Sequence, residues 1–185
     1  TKSVILQLNE KSLQGIQIID TPGVNDPVVS REERTKELLK YCDAVLIVSP
    51  SGQFLSSEDI NLFDRITSKE GIQEVYIVAS QVDNQLWGSE KVEGNGILPN
   101  ILNNISSKLT TYTKNIFQKD EELKETKLYK NILKNEVICS SALSYALYKK
   151  FDTPELWDSN ETHTFNRLET EYKNFFDTKE IAKQS

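Results

Sequence analysis

Three short apolar runs constrain the fold of this 185-residue chain most strongly, because each is typical of a β-strand and each gives way abruptly to polar residues. The runs are Ile16–Ile19, Val75–Ser80 and Val137–Cys139. Strand-like and helix-like patterns alternate from residue 15 to residue 80. This alternation predicts an α/β fold with a doubly wound, mostly parallel sheet.

The pattern of apolar residues predicts most of the secondary structure. The expected elements are a β-hairpin (3–8 and 15–19), a helix (31–41), a fully buried strand (44–48), a helix from Ser56 or Ser57, a long amphipathic helix from Pro99, a helix (143–151) and a last helix with an apolar stripe (Phe165, Leu168, Tyr172, Phe175, Phe176). We expect that stripe to pack on the core of the same domain. A partner-binding face is the alternative.

The first apolar run delivers a carboxylate to the tip of its predicted strand. Asp20 ends the run, and Pro22 and Gly23 prevent the strand from continuing. Ligands of open α/β sheets bind at the carboxyl ends of the strands, so an acid followed by a glycine there suggests a phosphate and Mg²⁺ site. An ordinary turn with Asp as its first residue is the alternative.

Composition limits the other classes of function. A net charge of −6 argues against a nucleic-acid-binding surface, and no apolar run is long enough to span a bilayer. Cys42 and Cys139 lack metal-ligand spacing and are expected to be buried, reduced thiols of a cytoplasmic protein. The chain contains one histidine, His163, which argues against a zinc site and against histidine-based catalysis.

The polar ends of the three runs resemble the last three motifs of guanine-nucleotide-binding proteins, in the usual order. Asp20-Thr21-Pro22-Gly23 matches Asp-x-x-Gly, Ser80-Gln81-Val82-Asp83 matches the base-reading [Asn/Thr]-Lys-x-Asp, and Ser141-Ala142 matches the Ser-Ala motif. Three further segments match the dynamin superfamily: Asp20–Val24, Tyr41–Val48 and Ser56–Asp59. Through them the chain resembles the bacterial members of the labile enterotoxin output protein A type.

The resemblance implies a role for each motif residue. Asp20 would hold Mg²⁺ through water, and the backbone N–H of Gly23 would point at the γ-phosphate. Thr21 and Pro22 would belong to the same nucleotide-binding segment. Asp83 would accept hydrogen bonds from guanine N1 and N2. Ser80 would brace the loop, and Gln81 stands where the family has a lysine whose stem packs on the base. The backbone at Ser141 and Ala142 would approach guanine O6.

The same resemblance predicts a partial GTPase head of the P-loop NTPase type over residues 1–150. Residues 151–185 would form a helical extension that could begin a helical bundle. No Gly-x-x-x-x-Gly-Lys-[Ser/Thr] occurs in the sequence, so we expect that phosphate loop upstream of residue 1 and expect the fragment alone to be inactive. Gln81 replaces the usual lysine, Ser80 replaces Asn or Thr, and Val24 stands where Ras-like proteins carry a water-orienting glutamine.

The resemblance therefore predicts a protein that binds GTP or GDP with Mg²⁺, hydrolyses GTP, dimerises through its GTPase heads and remodels membranes that it contacts through parts outside this chain. A degenerate GTPase-like interaction module without turnover is the alternative, favoured by Gln81. A Ras-like switch regulated by a separate activator is a third reading.

Overall fold

The structure, a computed structural model, describes residues 11–20, 41–57, 59–60, 72–119 and 127–172. Within these ranges three strands form one parallel sheet in the order β1-β2-β3. The strands are β1 (Ala44–Pro50), β2 (Glu74–Ser80) and β3 (Ile138–Cys139). The predicted α/β fold with parallel strands is confirmed.

Five α-helices have defined bounds in the described part of the chain, and residues 57 and 59–60 are helical as well. They are α1 (Ser89–Glu93), α2 (Leu98–Phe117), α3 (Lys127–Lys134), α4 (Ala142–Lys149) and α5 (Ser159–Glu171). Single turns of 3-10 helix occur at Lys11–Leu13, Ser51–Gln53, Val82–Gln85 and Pro154–Leu156. The long helix α2 has Pro99 in its first turn as predicted, where the missing backbone N–H of proline has no intrahelical partner to lose.

The register of the sheet places the functional segments at one edge. β1 and β2 pair from Ala44 with Glu74 to Pro50 with Ser80, and β2 pairs with β3 at Ala79 and Cys139. Because all three strands run in the same direction, their carboxyl ends lie side by side. The residues that follow Pro50, Ser80 and Cys139 therefore share the ligand-binding edge of an open α/β sheet.

The core lies between β2 and α2. Val75, Ile77 and Ala79 alternate along β2, and they belong to one cluster of buried residues with Ile101 and Ile105 of α2. Four-residue spacing puts the two isoleucines on the same face of the helix. Leu168 and Tyr172 of the last helix join this cluster, which confirms the predicted core packing for these two positions. Phe175 and Phe176 lie outside the described residues.

The prediction that β1 is fully buried is wrong. Ile47 and Ser49 are buried, but Leu46 and Val48 on the opposite face are 61% and 58% exposed. Strands of parallel sheets carry apolar residues on both faces because both are normally covered. Among the described residues no element covers this face of β1.

The strand predicted over residues 15–19 is also not formed. Residues 16–20 have no regular secondary structure, and Ile16 and Ile18 are exposed. A strand is stabilised by its ladder partners, and none of the three described strands pairs with this segment. The other half of the predicted hairpin (3–8) and most of the helix predicted at 31–41 lie outside the described residues.

None of the helices in the described ranges is long and apolar enough to cross a membrane.

Candidate functional site

The base-reading and Ser-Ala motifs meet at the carboxyl edge of the sheet. Ser80 ends β2 and Ser140 follows β3, so the parallel pairing brings their continuations together. The backbone N–H of Ser140 donates to the carbonyl of Ala79 at 2.8 Å, and that of Val82 donates to the carbonyl of Ser140 at 3.2 Å. Two motifs separated by about sixty residues of sequence are thus joined by direct backbone hydrogen bonds.

The base-reading motif turns sharply at Gln81. This residue has the left-handed conformation, with φ 57° and ψ 36°, which is uncommon for a residue other than glycine. The Ser51 hydroxyl holds the turn from the neighbouring strand end by donating to the Gln81 carbonyl at 2.9 Å. Asn84 donates its backbone N–H to the same carbonyl at 3.1 Å. These contacts fix a backbone conformation that costs on the order of 1 kcal/mol.

Asp83 lies in the 3-10 turn that follows Gln81. The preceding Val82 is buried and anchors the turn in the core, whereas Asp83 is half-buried at the edge of the sheet. Within the described residues, no hydrogen bond or ion pair occupies its carboxylate. Its two oxygens are therefore available to a ligand with two neighbouring donors.

The Ser-Ala motif begins a helix. Ser141 is the N-cap of α4, and its side-chain oxygen accepts a hydrogen bond from the backbone N–H of Ser144 at 3.0 Å. Ala142 is the first residue of the helix. Two residues separate the end of β3 from the start of the helix, so the N-terminus of α4 lies at the carboxyl edge of the sheet, and a helix N-terminus suits an electronegative group of a ligand.

A second polar cluster fixes the end of β1. The buried hydroxyl of Ser49 donates to the Asp59 carboxylate at 2.9 Å and accepts from the backbone N–H of Leu55 at 2.9 Å. Ser56 donates its own N–H to the same carboxylate at 3.0 Å, and its hydroxyl accepts from the Asp59 N–H at 3.3 Å. This reciprocal pattern caps the helix predicted to begin near Ser56. It also stabilises the loop that presents Ser51.

Asp20 is exposed, and no contact within the described residues joins it to the other two motifs. Thr21, Pro22 and Gly23 lie outside the described residues, so their predicted roles stay predictions. In the part of the chain that the structure describes, no group of three or more His, Cys, Asp or Glu side chains could hold a metal ion. The single exposed carboxylate of Asp20 would suit Mg²⁺ that is bound beside phosphates, because such an ion usually has one or two protein ligands and keeps several waters.

Ser51 is the site residue that the sequence analysis missed. It follows Pro50 at the end of β1, and Pro50 is paired with Ser80 in the sheet. A polar residue just past the end of a neighbouring parallel strand was the available signal. The hydrogen bond from the Tyr172 hydroxyl to the carbonyl of Leu86, just past Asp83, was also missed, and it has no local sequence signal.

The chain is similar to two kinds of known protein. Residues 1–81 match the sequence profile of the dynamin family. The chain is also similar to the tRNA modification GTPase MnmE of Clostridioides difficile (strain 630), with 25% identity over 171 residues. That alignment covers 88% of this chain and 36% of the relative, so the chain spans about a third of the curated relative that it matches. No solved structure matches the chain.

One similarity is to the dynamin family and the other is to a protein named as a GTPase. The α/β fold with its parallel sheet is consistent with part of a P-loop GTPase domain. The family match ends at Gln81, inside the base-reading motif, whereas the similarity to the curated relative covers most of the chain.

Proposed function

We propose that this chain is the later part of a GTPase domain and that it recognises the guanine base at the carboxyl edge of β2 and β3. The hydrogen bond from Val82 to the carbonyl of Ser140 carries this proposal, because it brings the base-reading and Ser-Ala motifs together at the available carboxylate of Asp83. Guanine presents two donors, N1–H and N2–H, to the two acceptors of that carboxylate. Adenine does not present this pair, so Asp83 accounts for specificity.

The backbone at Ser141 and Ala142 would supply the hydrogen-bond donors that guanine also requires. Guanine O6 is an acceptor, and the N–H groups at the start of α4 are donors in a region of positive helix dipole. One base edge is thereby read by an acceptor from the β2 end and donors from the β3 end.

The phosphates and Mg²⁺ belong to the other part of the site. We propose that Asp20 holds Mg²⁺ through water, that the backbone N–H of Gly23 points at the γ-phosphate, and that Thr21 and Pro22 belong to the same nucleotide-binding segment. Mg²⁺ would supply neutralisation of phosphate charge. Because the sequence lacks a Gly-x-x-x-x-Gly-Lys-[Ser/Thr] loop, we propose that an upstream segment of a longer protein completes this site.

The match to the dynamin family supports a more specific proposal. GTP hydrolysis in the full-length protein that contains this chain would depend on pairing of two GTPase heads and would drive self-assembly and membrane remodelling, as in the bacterial dynamin-like proteins that the sequence resembles. The GTPase rate per molecule should then rise with protein concentration across the monomer–dimer range. A rate that stays constant while light scattering detects dimer formation would contradict the pairing of heads.

The test of base recognition is the substitution Asp83→Asn in the full-length protein. Asparagine replaces one acceptor by a donor, which opposes the guanine amino group but pairs with the carbonyl that xanthine carries at that position. Each mispaired buried group costs about 1–3 kcal/mol, which corresponds to roughly tenfold to hundredfold in affinity. GTP, ATP and xanthosine triphosphate would compete against a fluorescent guanine nucleotide for each protein.

Asp43→Asn is the matched control. Asp43 is exposed immediately before β1, at the opposite edge of the sheet, and the same chemical change there should leave nucleotide preference unaltered. We expect the Asp83 variant alone to lose guanine and gain xanthine nucleotides. Equal loss of all three nucleotides would show that Asp83 has a different role.

Gln81 and Ser80 favour one alternative, an interaction module that does not turn over nucleotide. Gln81 cannot supply the charge of the lysine found in most GTPases, although its left-handed conformation is held by Ser51. A full-length wild-type protein that binds no guanine nucleotide in the same competition would support this alternative.

A further inference from the structure

The last turn of α5 contacts the segment that directly follows the base-reading motif. The hydroxyl of Tyr172 donates a hydrogen bond to the carbonyl of Leu86, and Tyr172 is only 2% exposed. Leu86 in turn closes the 3-10 turn that holds Asp83, because its N–H donates to the Asp83 carbonyl at 3.4 Å. The Tyr172 side chain is therefore connected to Asp83 through a single residue, Leu86, whose carbonyl accepts from Tyr172 and whose N–H donates to Asp83.

Aromatic and ionic contacts extend this connection along the loop. The guanidinium of Arg167 lies 3.7 Å from the ring centroid of Trp87, and the rings of Trp87 and Tyr172 are 5.9 Å apart. Lys91 pairs with the Glu171 carboxylate and lies 5.4 Å from the centroid of the Tyr172 ring. The end of α5 and its C-cap residue Tyr172 thus hold both ends of the segment Leu86–Lys91.

We propose that Tyr172 and Arg167 are positioning residues for guanine recognition, acting on Asp83 through Leu86 and Trp87. This inference rests on the proposed function, because it assigns α5 a role in the same base site. Neither residue touches the base. Their effect is to keep the Asp83 turn in one conformation before the nucleotide arrives.

The turn needs support from outside itself. Hydrogen bonds in a 3-10 turn have poor geometry, and the turn starts from the left-handed Gln81. Ser51 holds Gln81 and Ser140 holds Val82, but both act before Asp83 in the sequence. After Asp83 the chain is held by burial of Leu86 in the core and by the contacts from α5 to Leu86 and Trp87. Removing the contacts from α5 leaves the Leu86 carbonyl without the hydrogen bond that it accepts from Tyr172.

Coupling of this kind acts in both directions. If the last turn of α5 stabilises the conformation that binds guanine, bound guanine nucleotide must stabilise the last turn of α5 by the same factor. The backbone N–H of Tyr172, which donates to the Leu168 carbonyl at 2.7 Å, reports the opening of that turn.

The test compares Tyr172→Phe and Arg167→Gln with wild type in the full-length protein. The phenylalanine keeps the buried ring and removes only the hydroxyl, and Arg167 is exposed, so both variants should fold. Tyr112→Phe is the matched control, since Tyr112 is 47% exposed on α2 and its ring contacts Phe54 rather than the segment Leu86–Lys91. Amide hydrogen exchange of residues 82–91 would be measured without nucleotide, and the Kd for a fluorescent GDP analogue would be measured separately.

We expect exchange in residues 82–91 to accelerate about tenfold in Tyr172→Phe, and GDP to bind about threefold to tenfold more weakly, with no change in the Tyr112 control. GDP should also slow exchange of the Tyr172 amide in wild type but not in Asp83→Asn. A purely structural contact would not produce that nucleotide-dependent protection.

The outcomes separate the two claims. Unchanged exchange in residues 82–91 of both variants overturns the contact as a support of the loop. Faster exchange with unaltered GDP affinity overturns the positioning role while the proposed function stands. Wild type that does not bind GDP overturns the proposed function and the positioning role together.

Discussion

Gly94 is the position at which one added methyl group should disturb the packing most. It follows α1 and has φ −83°, which any residue can adopt, so backbone strain does not explain a glycine there. A Cβ atom at this position would lie 2.3 Å from Ile101 Cγ1 and within about 3.1 Å of the Ile101 backbone nitrogen and Cα. Ile101 is 0% exposed, so neither its side chain nor the α2 backbone can move away freely.

Overpacking of this kind costs about 1–3 kcal/mol. For a chain of this size, each kcal/mol lowers the Tm by about 2–4 °C. Urea unfolding of Gly94→Ala, followed by circular dichroism, should therefore give a lower midpoint with an unchanged slope.

Gly52→Ala provides the control for the same chemical change. Its added Cβ would lie 3.7 Å from Gln85 Nε2, an ordinary van der Waals distance, and Gly52 does not have a left-handed φ. We expect this variant to be neutral or up to about 1 kcal/mol more stable, because alanine restricts the unfolded chain. Equal stability of the two variants would refute the packing of α2 against the loop after α1.

Three further predictions concern the site and the stability of the chain. Ser51→Ala removes the donor to the Gln81 carbonyl and should weaken GDP binding by the full-length protein about threefold to tenfold; unaltered affinity would contradict its bracing role. Lys150 and the Asp158 backbone N–H hold the pKa of the Glu161 carboxyl below its ordinary value of 4.5. The ionised carboxylate therefore stabilises the fold above pH 4.5, and this contribution is lost as the pH falls through the lowered pKa. Below pH 4.5 the urea midpoint of Glu161→Gln should depend less on pH than that of wild type, and an identical dependence would contradict the assignment. The 185-residue chain alone should bind GTP with Mg²⁺ poorly in calorimetric titration, and micromolar affinity would contradict the expectation that its phosphate site is incomplete.

The sequence predicted those elements whose pattern is local and complete. β2 and β3 are short apolar runs between turn residues, and α2 repeats its apolar residues at helical spacing over 20 residues. Their ends fixed the position of Asp83 and Ser141 at one edge of the sheet, because parallel strands must end on the same side. This part of the candidate site followed from the sequence.

The remaining features depend on partners that no local pattern identifies. Residues 16–19 have strand-like composition, but a strand requires a neighbour and none of the described strands pairs with them. The exposed face of β1 likewise depends on what packs against it. The contact between Tyr172 and Leu86 joins residues 86 positions apart, and neither residue type indicates the other.

Hydrogen exchange of the full-length protein with and without nucleotide tests most directly whether the two strand ends form one guanine site. GDP should slow the exchange of amides in residues 80–86 and in residues 140–144 together, since the Val82–Ser140 hydrogen bond places both segments at the same base. ADP at the same concentration should protect neither segment, because adenine lacks the pair of neighbouring donors that Asp83 would bind. Equal protection by ADP, or protection by GDP of neither segment or of one without the other, would contradict the proposed site.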